Sequence, residues 1–456
     1  MQSWRDFSPS LRRGALTGAA TGFLFGFDTA VIAGSTSLLQ VQFHLSPKAL
    51  GWTVSAALWG TVVGSLASGP CTQRWGGRTM LRLLAIFYLL SALGCVLSPS
   101  WRWLVASRIL GGIAVGGSSV VGPVYVAELA PAQWRGRLVG MFQINVVVGV
   151  LMAYFSNYIL ERCHLGPNLW RWELGAAFVP AFALRLLLAR VPESPRWLST
   201  QGLYDEAAAV LRSLGDPDPA PQVQAMIASN AEERNGQSPR LFTRAHWRPL
   251  MIAAALGAFN QLSGINAILY YLNDIFGAAG FSRLTSSSLA VLVGTMNLVA
   301  TGFAVAVIDR FGRRRLLIIG SVGMSATLGV VAVLFASHSG RKGLATLLGI
   351  YMVFFAISQG AVIWVYLSEI FPNVVRARGQ SVGTTIHWMV NAIIANIFPP
   401  LAVHGMATPF AFFGCMMGLQ LIFVLACVPE TRGIPLEEIV TLMSGRKVQQ
   451  SCPERA

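Results

Sequence analysis

The sequence predicts an all-α membrane protein with twelve transmembrane helices in two six-helix halves, arranged as parallel repeats and joined by a cytoplasmic helical linker. Three observations carry this. The 456-residue chain is 54% hydrophobic and 12% charged with mean hydropathy +0.57, too apolar for a set of water-soluble domains. Its apolar runs number twelve. Three polar motifs of the first half recur in the second, so the chain reads as a duplication.

The expected spans are 14–36, 49–70, 80–98, 102–127, 137–160 and 171–191 in the first half, and 249–276, 285–308, 315–337, 344–370, 379–402 and 407–428 in the second. Six spans per half bring each half into the bilayer with the same orientation. The domain boundaries follow: 1–191, a linker at 192–247, 248–428, and a tail at 429–456. In the linker, 203–214 and 222–233 read as short amphipathic helices broken by Asp216-Pro-Asp-Pro219.

The net charge of +15 is a topology signal rather than a nucleic-acid footprint. Lys and Arg crowd the connections that face the cytoplasm if both termini do, which is the positive-inside bias of an even number of spans. The six cysteines show no metal-ligand or CxxC spacing and read as packing residues. No secretory cleavage pattern follows the first apolar run, and the absence of an Asn-x-Ser/Thr sequon favours a bacterial inner membrane. No nucleophile elbow, phosphate loop or metal cluster appears, so no enzyme, metal or cofactor is expected. The expected partners are the lipid bilayer and small solutes, with a monomer as the assembly.

The first span carries an acid, Asp28, on one strip with Thr17 and Thr21; the three fall within about 40° at 100° per residue. Gly14, Gly18, Gly22 and Gly26 recur beside that strip and permit close helix approach. A carboxylate at bilayer depth costs roughly 2.5 to 3.5 kcal/mol, so it needs a partner. Counting from Arg13, Asp28 lies about 22 Å into a hydrocarbon layer of roughly 30 Å. Arg108, about 9 Å in from the opposite face, reaches a similar depth. The alternative is that Arg108 snorkels to the interface and Asp28 bonds locally.

The repeated motifs are Gln73-Arg74-Trp-Gly76-Gly-Arg78 with Asp309-Arg310-Phe-Gly312-Arg-Arg314, Glu128-Leu-Ala-Pro131 through Arg137 with Glu369-Ile-Phe-Pro372 through Arg378, and Pro192-Glu193-Ser194 with Pro429-Glu430-Thr431, lying 236, 241 and 237 residues apart. At span ends, such charges suit latches that hold in one conformation. The expected clusters are Glu128 and Arg135 with Arg74 and Arg78, and Asp309, Glu369 and Arg376 with Arg310, Arg313 and Arg314. The other reading of these arginines is topology alone.

Together with Pro192-Glu-Ser-Pro-Arg196-Trp-Leu198, Gln261-Leu-Ser-Gly-Ile-Asn266 and Pro429-Glu-Thr-Arg-Gly433, these motifs resemble the sugar porter family of the major facilitator superfamily over about Gly22 to Gly433. The first span, Phe25-Gly26-Phe27-Asp28, is most similar to bacterial proton-coupled xylose symporters. The resemblance implies the major facilitator fold and symport of a monosaccharide, hexose or pentose, with protons across the plasma membrane by alternating access. It makes Asp28 and Arg108 the proton-coupling pair. A facilitative uniporter and a non-transporting sugar sensor are the alternatives.

Sugar recognition needs amide and hydroxyl groups beside flat aromatic faces. The seventh span offers Asn260, Gln261, Asn266 and Tyr270, and bringing Gln261 and Asn266 to one cavity requires a kink at Ser263-Gly264. The resemblance adds Gln143, Asn297, Trp364, His387, Trp388 and Asn391. Departures from the family pattern are Gln73 for Asp, Asn260 and His387 for Gln, Val150 for a polar contact, and Gly360-Ala361 for Gly-Pro.

Overall fold

The computed structural model describes residues 7–131, 134–235, 241–243, 246–337, 343–371 and 375–431, with the side chains of 232–235, 305–310, 368 and 377 excepted. All regular structure among them is helical. Five long helices open the chain: α1 (Pro9–Gln42), α2 (Pro47–Trp75), α3 (Gly77–Val96), α4 (Trp101–Leu129) and α5 (Arg135–Arg162). The sixth span is broken into α6 (Leu169–Gly175) and α7 (Phe178–Leu187). Three short helices form the linker: α8 (Pro195–Thr200), α9 (Tyr204–Leu214) and α10 (Ala220–Asn235).

The seventh span comprises α11 (Trp247–Leu262), α12 (Ile265–Tyr270) and α13 (Leu272–Ala278). It is followed by α14 (Arg283–Phe311) and α15 (Arg313–Ala336). The tenth span joins α16 (Leu344–Phe355) to α17 (Ala361–Glu369) through a π-helical turn at Ala356–Gly360, and α18 (Arg376–Ala402) and α19 (Ala407–Cys427) end the bundle. Among the described residues, ten of the spans are long and apolar enough to cross a membrane. Of the other two, the sixth is interrupted and α18 carries Arg376, Arg378, His387, Asn391 and Asn396.

Local chemistry sets the helix starts. Ser8, Ser46 and Ser100 accept from the backbone N–H three residues on, and Pro9 and Pro47 supply the preset first turn. Small residues set the packing of α1. A Cβ on Gly18 would lie 2.0 Å from the Val126 side chain of α4, and one on Gly26 would lie 1.8 Å from the Val146 carbonyl oxygen of α5. The glycine series therefore wedges α1 against two neighbours, where no larger side chain fits. The kink expected in the seventh span falls at Ser263-Gly264, with Gly264 at φ +83°.

Contacts divide the chain into two units: 1–236 with 266–298 and 391–404, and 237–265 with 299–390 and 405–456. The first has a core of α1, α3, α4 and α5 side chains such as Leu24, Leu81, Leu84, Ala114 and Val121. The second has a core built on α11, α15, α17 and α19, including Leu256, Leu317, Val362 and Val424. In the linker, Asp205 and Glu206 begin α9, Arg212 lies in its last turn, and Gly215 at φ +104° ends it.

Candidate functional site

Within the first unit, α1 and α4 bring the predicted charges together. Arg108 Nη1 lies 3.3 Å from Asp28 Oδ1, and the two side chains are only 4% and 8% exposed. Arg108 therefore turns inward rather than snorkelling. Small groups make the room: a Cβ on Gly111 would stand 2.5 Å from Ser91 Oγ and 3.8 Å from Asp28 Oδ1. Ser91 donates to the Ser107 carbonyl, and Tyr88 is hydrogen-bonded to Ser118. Arg108 Nε is buried without a hydrogen-bond partner, so this pairing leaves donor capacity unused.

The expected sugar-contacting residues are distributed over both units. In the first, Asn391 Nδ2 donates to the Tyr270 hydroxyl at 3.1 Å, Asn297 is buried, and Gln143 and Asn266 are half-buried. Tyr270 is close enough to Asp28 and Arg108 to interact with their charges. In the second unit, Gln261 Nε2 lies 3.0 Å from His387 Nε2 and donates to Asn260 Oδ1 at 3.2 Å. Asn260 in turn donates to the Gln359 carbonyl. The His387 ring packs edgewise against Trp364 and Trp388, with centroids 5.1 and 5.0 Å apart. Each unit thus supplies amides beside aromatic or phenolic groups, the combination that suits a pyranose.

The repeated motifs form two matching networks, in which the expected Glu369–Arg313 pair is present and the other partners differ from those expected. Arg78 pairs with Glu193, at 3.8 Å, and its backbone N–H donates to Glu193 Oε1. In the second half, the N–H groups of Arg313 and Arg314 donate to Glu430. Both carboxylates cap a helix start preceded by a glycine at positive φ, Gly76 at +86° and Gly312 at +85°. Tyr125 donates to the Pro192 carbonyl and Tyr366 to the Pro429 carbonyl. Glu128 bonds Ser194 and interacts with Arg196, while Glu369 accepts from Thr431 and pairs with Arg313 at 3.0 Å.

Glu128 therefore does not join Arg135, whose Nε donates to the Ala127 carbonyl. Arg376 likewise donates to the Phe371 carbonyl, Arg314 Nη2 donates to the Leu425 carbonyl, and Arg74 is exposed. The side chains of Asp309 and Arg310 lie outside the described residues. The duplicated Pro-Glu-Ser/Thr motif was the available signal for Glu193 and Glu430.

A family model described as "Sugar (and other) transporter" matches residues 14–443. The chain belongs to the sugar porter family. This member is similar to the D-xylose transporter of Levilactobacillus brevis, 36% identical over 92% of this chain and 93% of the relative. It is similar also to the D-xylose-proton symporter of Escherichia coli K12, 33% identical over 94% and 95%. The glucose transport protein of Synechocystis is 35% identical over 92% and 95%. Among solved structures, the inward open conformation of the E. coli xylose transporter XylE matches with TM-score 0.84 and 31% identity over 95% of this chain and 99% of that one.

The protein is thus a multi-pass sugar transporter of the major facilitator superfamily, not an enzyme. Asp28 is not the lone acid in the bundle: Glu173 of α6 has no exposed surface, and Asp274 of α13 has one carboxylate oxygen sealed from solvent. Both sit near span ends, where hydropathy does not separate a buried acid from an interfacial one.

Proposed function

We propose that this sugar porter couples the entry of a monosaccharide, a pentose or hexose, to protons. The observation that carries the reading is the buried Asp28–Arg108 ion pair at 3.3 Å. Desolvation disfavours the ionised acid and the guanidinium favours it, so a change in helix packing changes the acid's hold on a proton. A proton from outside adds to the carboxylate, its charge is lost, and Arg108 is released. Arg108 lies on α4, and Tyr270, within electrostatic range of the pair, is hydrogen-bonded to Asn391. Loss of the charge at Asp28 is thereby felt where sugar binds.

In this reading residues 1–191 and 248–428 are the moving halves, 192–247 is the linker between them, 429–456 is the tail, and both termini are cytoplasmic. The sugar-binding residues of this reading are Gln143, Asn266, Asn297, Tyr270 and Asn391 in the first unit, and Asn260, Gln261, Trp364, His387 and Trp388 in the second. The capped helix starts at Gly77 and Arg313 are the latches, one in each half. Relatives named for xylose, arabinose and glucose support a monosaccharide of five or six carbons. The test is uptake by proteoliposomes of a xylose, arabinose and glucose panel, with and without an inward proton gradient. Accumulation that requires the gradient supports symport; equilibration that ignores it refutes coupling.

A further inference from the structure

Apart from the Asp28 pair, the first unit holds a second buried charge cluster, at the opposite end of its helices from the capped start of α3. Its centre is Arg283, at the start of α14. Arg283 Nε lies 2.9 Å from Glu161 Oε1 of α5, and Nη2 lies 3.2 Å from Glu173 Oε1 of α6. Nη2 also donates to the Gly34 carbonyl of α1 at 2.8 Å. Ser35 Oγ lies 2.9 Å from the other Glu173 oxygen, and Ser287 donates to Glu161 Oε2. Asp274 bonds Thr36 and interacts with the same guanidinium. One cation therefore serves three carboxylates.

Among the described residues, no other charge in the neighbourhood redresses this imbalance. Arg162 lies over the Tyr158 ring, while Arg171 lies over the Trp170 ring and donates to the Val96 carbonyl of α3. His44, at the end of α1, and His164, after α5, are exposed, as is Lys48 of α2. The carboxylate with the least access to water is Glu173, at 0% exposure. A buried charge that is not balanced is expensive, and a proton is the simplest remedy.

We propose that Glu173 is a second proton-binding site of the transporter, filled while α14 is clamped to α1, α5 and α6. The contacts suit both states. As a carboxylate, Glu173 accepts from Arg283 through Oε1 and from the Ser35 hydroxyl through Oε2. With a proton on Oε2 it donates to Ser35 Oγ, which accepts as readily as it donates, and Oε1 keeps Arg283. The proton comes from bulk water and returns to it when the clamp opens; no covalent bond other than O–H forms or breaks. Gly34 keeps the site tight, since a Cβ there would lie 2.9 Å from Glu173 Oε1. The site rests on the proposed alternation only for its consequence, that acid on that side favours the clamped state.

The test reads the proton itself. Infrared difference spectra of the full-length protein in lipid nanodiscs, titrated with acid and base without sugar, should show a protonated-carboxyl C=O band that survives Asp28→Asn and disappears in Glu173→Gln. Glu161→Gln keeps Glu173 and removes its competitor for Arg283. It should lower the pH at which the band appears by about one unit, a tenfold change in proton concentration, which a merely structural residue would not do. A spectrum unchanged by Glu173→Gln, a band lost only in Asp274→Asn or Asp28→Asn, or a midpoint unmoved by Glu161→Gln would overturn the assignment. Because no transport is measured, failure here is distinguishable from failure of the symport reading.

Discussion

Removing either member of the Asp28–Arg108 pair should cost more than removing both. At 3.3 Å, and with an effective dielectric constant of about 20, Coulomb's law gives an attraction of about 5 kcal/mol, against which the desolvation of both ions must be set. Asp28→Asn leaves a guanidinium 4% exposed and unpaired, and Arg108→Gln leaves a carboxylate 8% exposed and unpaired. Each single change should destabilise the conformation described here by about 3–5 kcal/mol. The double variant carries two neutral amides of nearly the original size and should lose less than either single one. The resulting coupling energy, about 3 kcal/mol, is read from a double-mutant cycle on denaturant-induced or thermal loss of the folded, monodisperse protein in detergent. A coupling near zero would mean that the charges ignore each other, and the reasoning from depth and burial would fall with it.

Other consequences are open to measurement. Glu430→Gln removes charged acceptance from two N–H groups at the start of α15 and should cost about 1–2 kcal/mol, with Glu193→Gln giving a matching loss at α3; thermal melts of the two variants check the equivalence. His387→Gln removes the ring to which Gln261 is bonded and which Trp364 and Trp388 flank. It should change sugar affinity by about tenfold and alter the order of preference in a sugar panel while leaving the proton requirement intact, as competition uptake assays would show. Gly26→Val forces α1 away from the Val146 carbonyl, two residues from Asp28. It should cost at least about 1–3 kcal/mol and abolish transport, read by melting and uptake in parallel.

Much of this architecture was legible in the sequence because the bilayer restricts it so strongly. Twelve apolar runs and three repeated motifs gave the spans and the duplication, and counting residues at 1.5 Å each put Asp28 and Arg108 at one depth. The Ser263-Gly264 break was readable from a glycine that needs positive φ. The interruption of the sixth span at Ala176-Ala177 was not, since neither residue disfavours a helix; nor was the π-helical turn at Ala356–Gly360, where the usual proline is missing. The cytoplasmic latches show a different limit. Their motifs are visible as repeats, but opposite charge at the span ends groups Glu128 with Arg135, Arg74 and Arg78. The observed partners, Glu193 and Glu430, are set by which carboxylate reaches an open helix start. The Glu161–Glu173–Arg283 cluster escaped because Arg283 lies 110 residues from Glu173 in the chain, and no motif repeats the set.

The central claim is that Asp28, held by Arg108, couples sugar movement to a proton. It is tested most directly by counterflow and uphill uptake in the same proteoliposomes, comparing the natural protein with Asp28→Asn for whichever sugar the panel selects. The account predicts that Asp28→Asn still exchanges sugar down its gradient but no longer accumulates it when an inward proton gradient is imposed. Undiminished, gradient-driven accumulation by Asp28→Asn would contradict it.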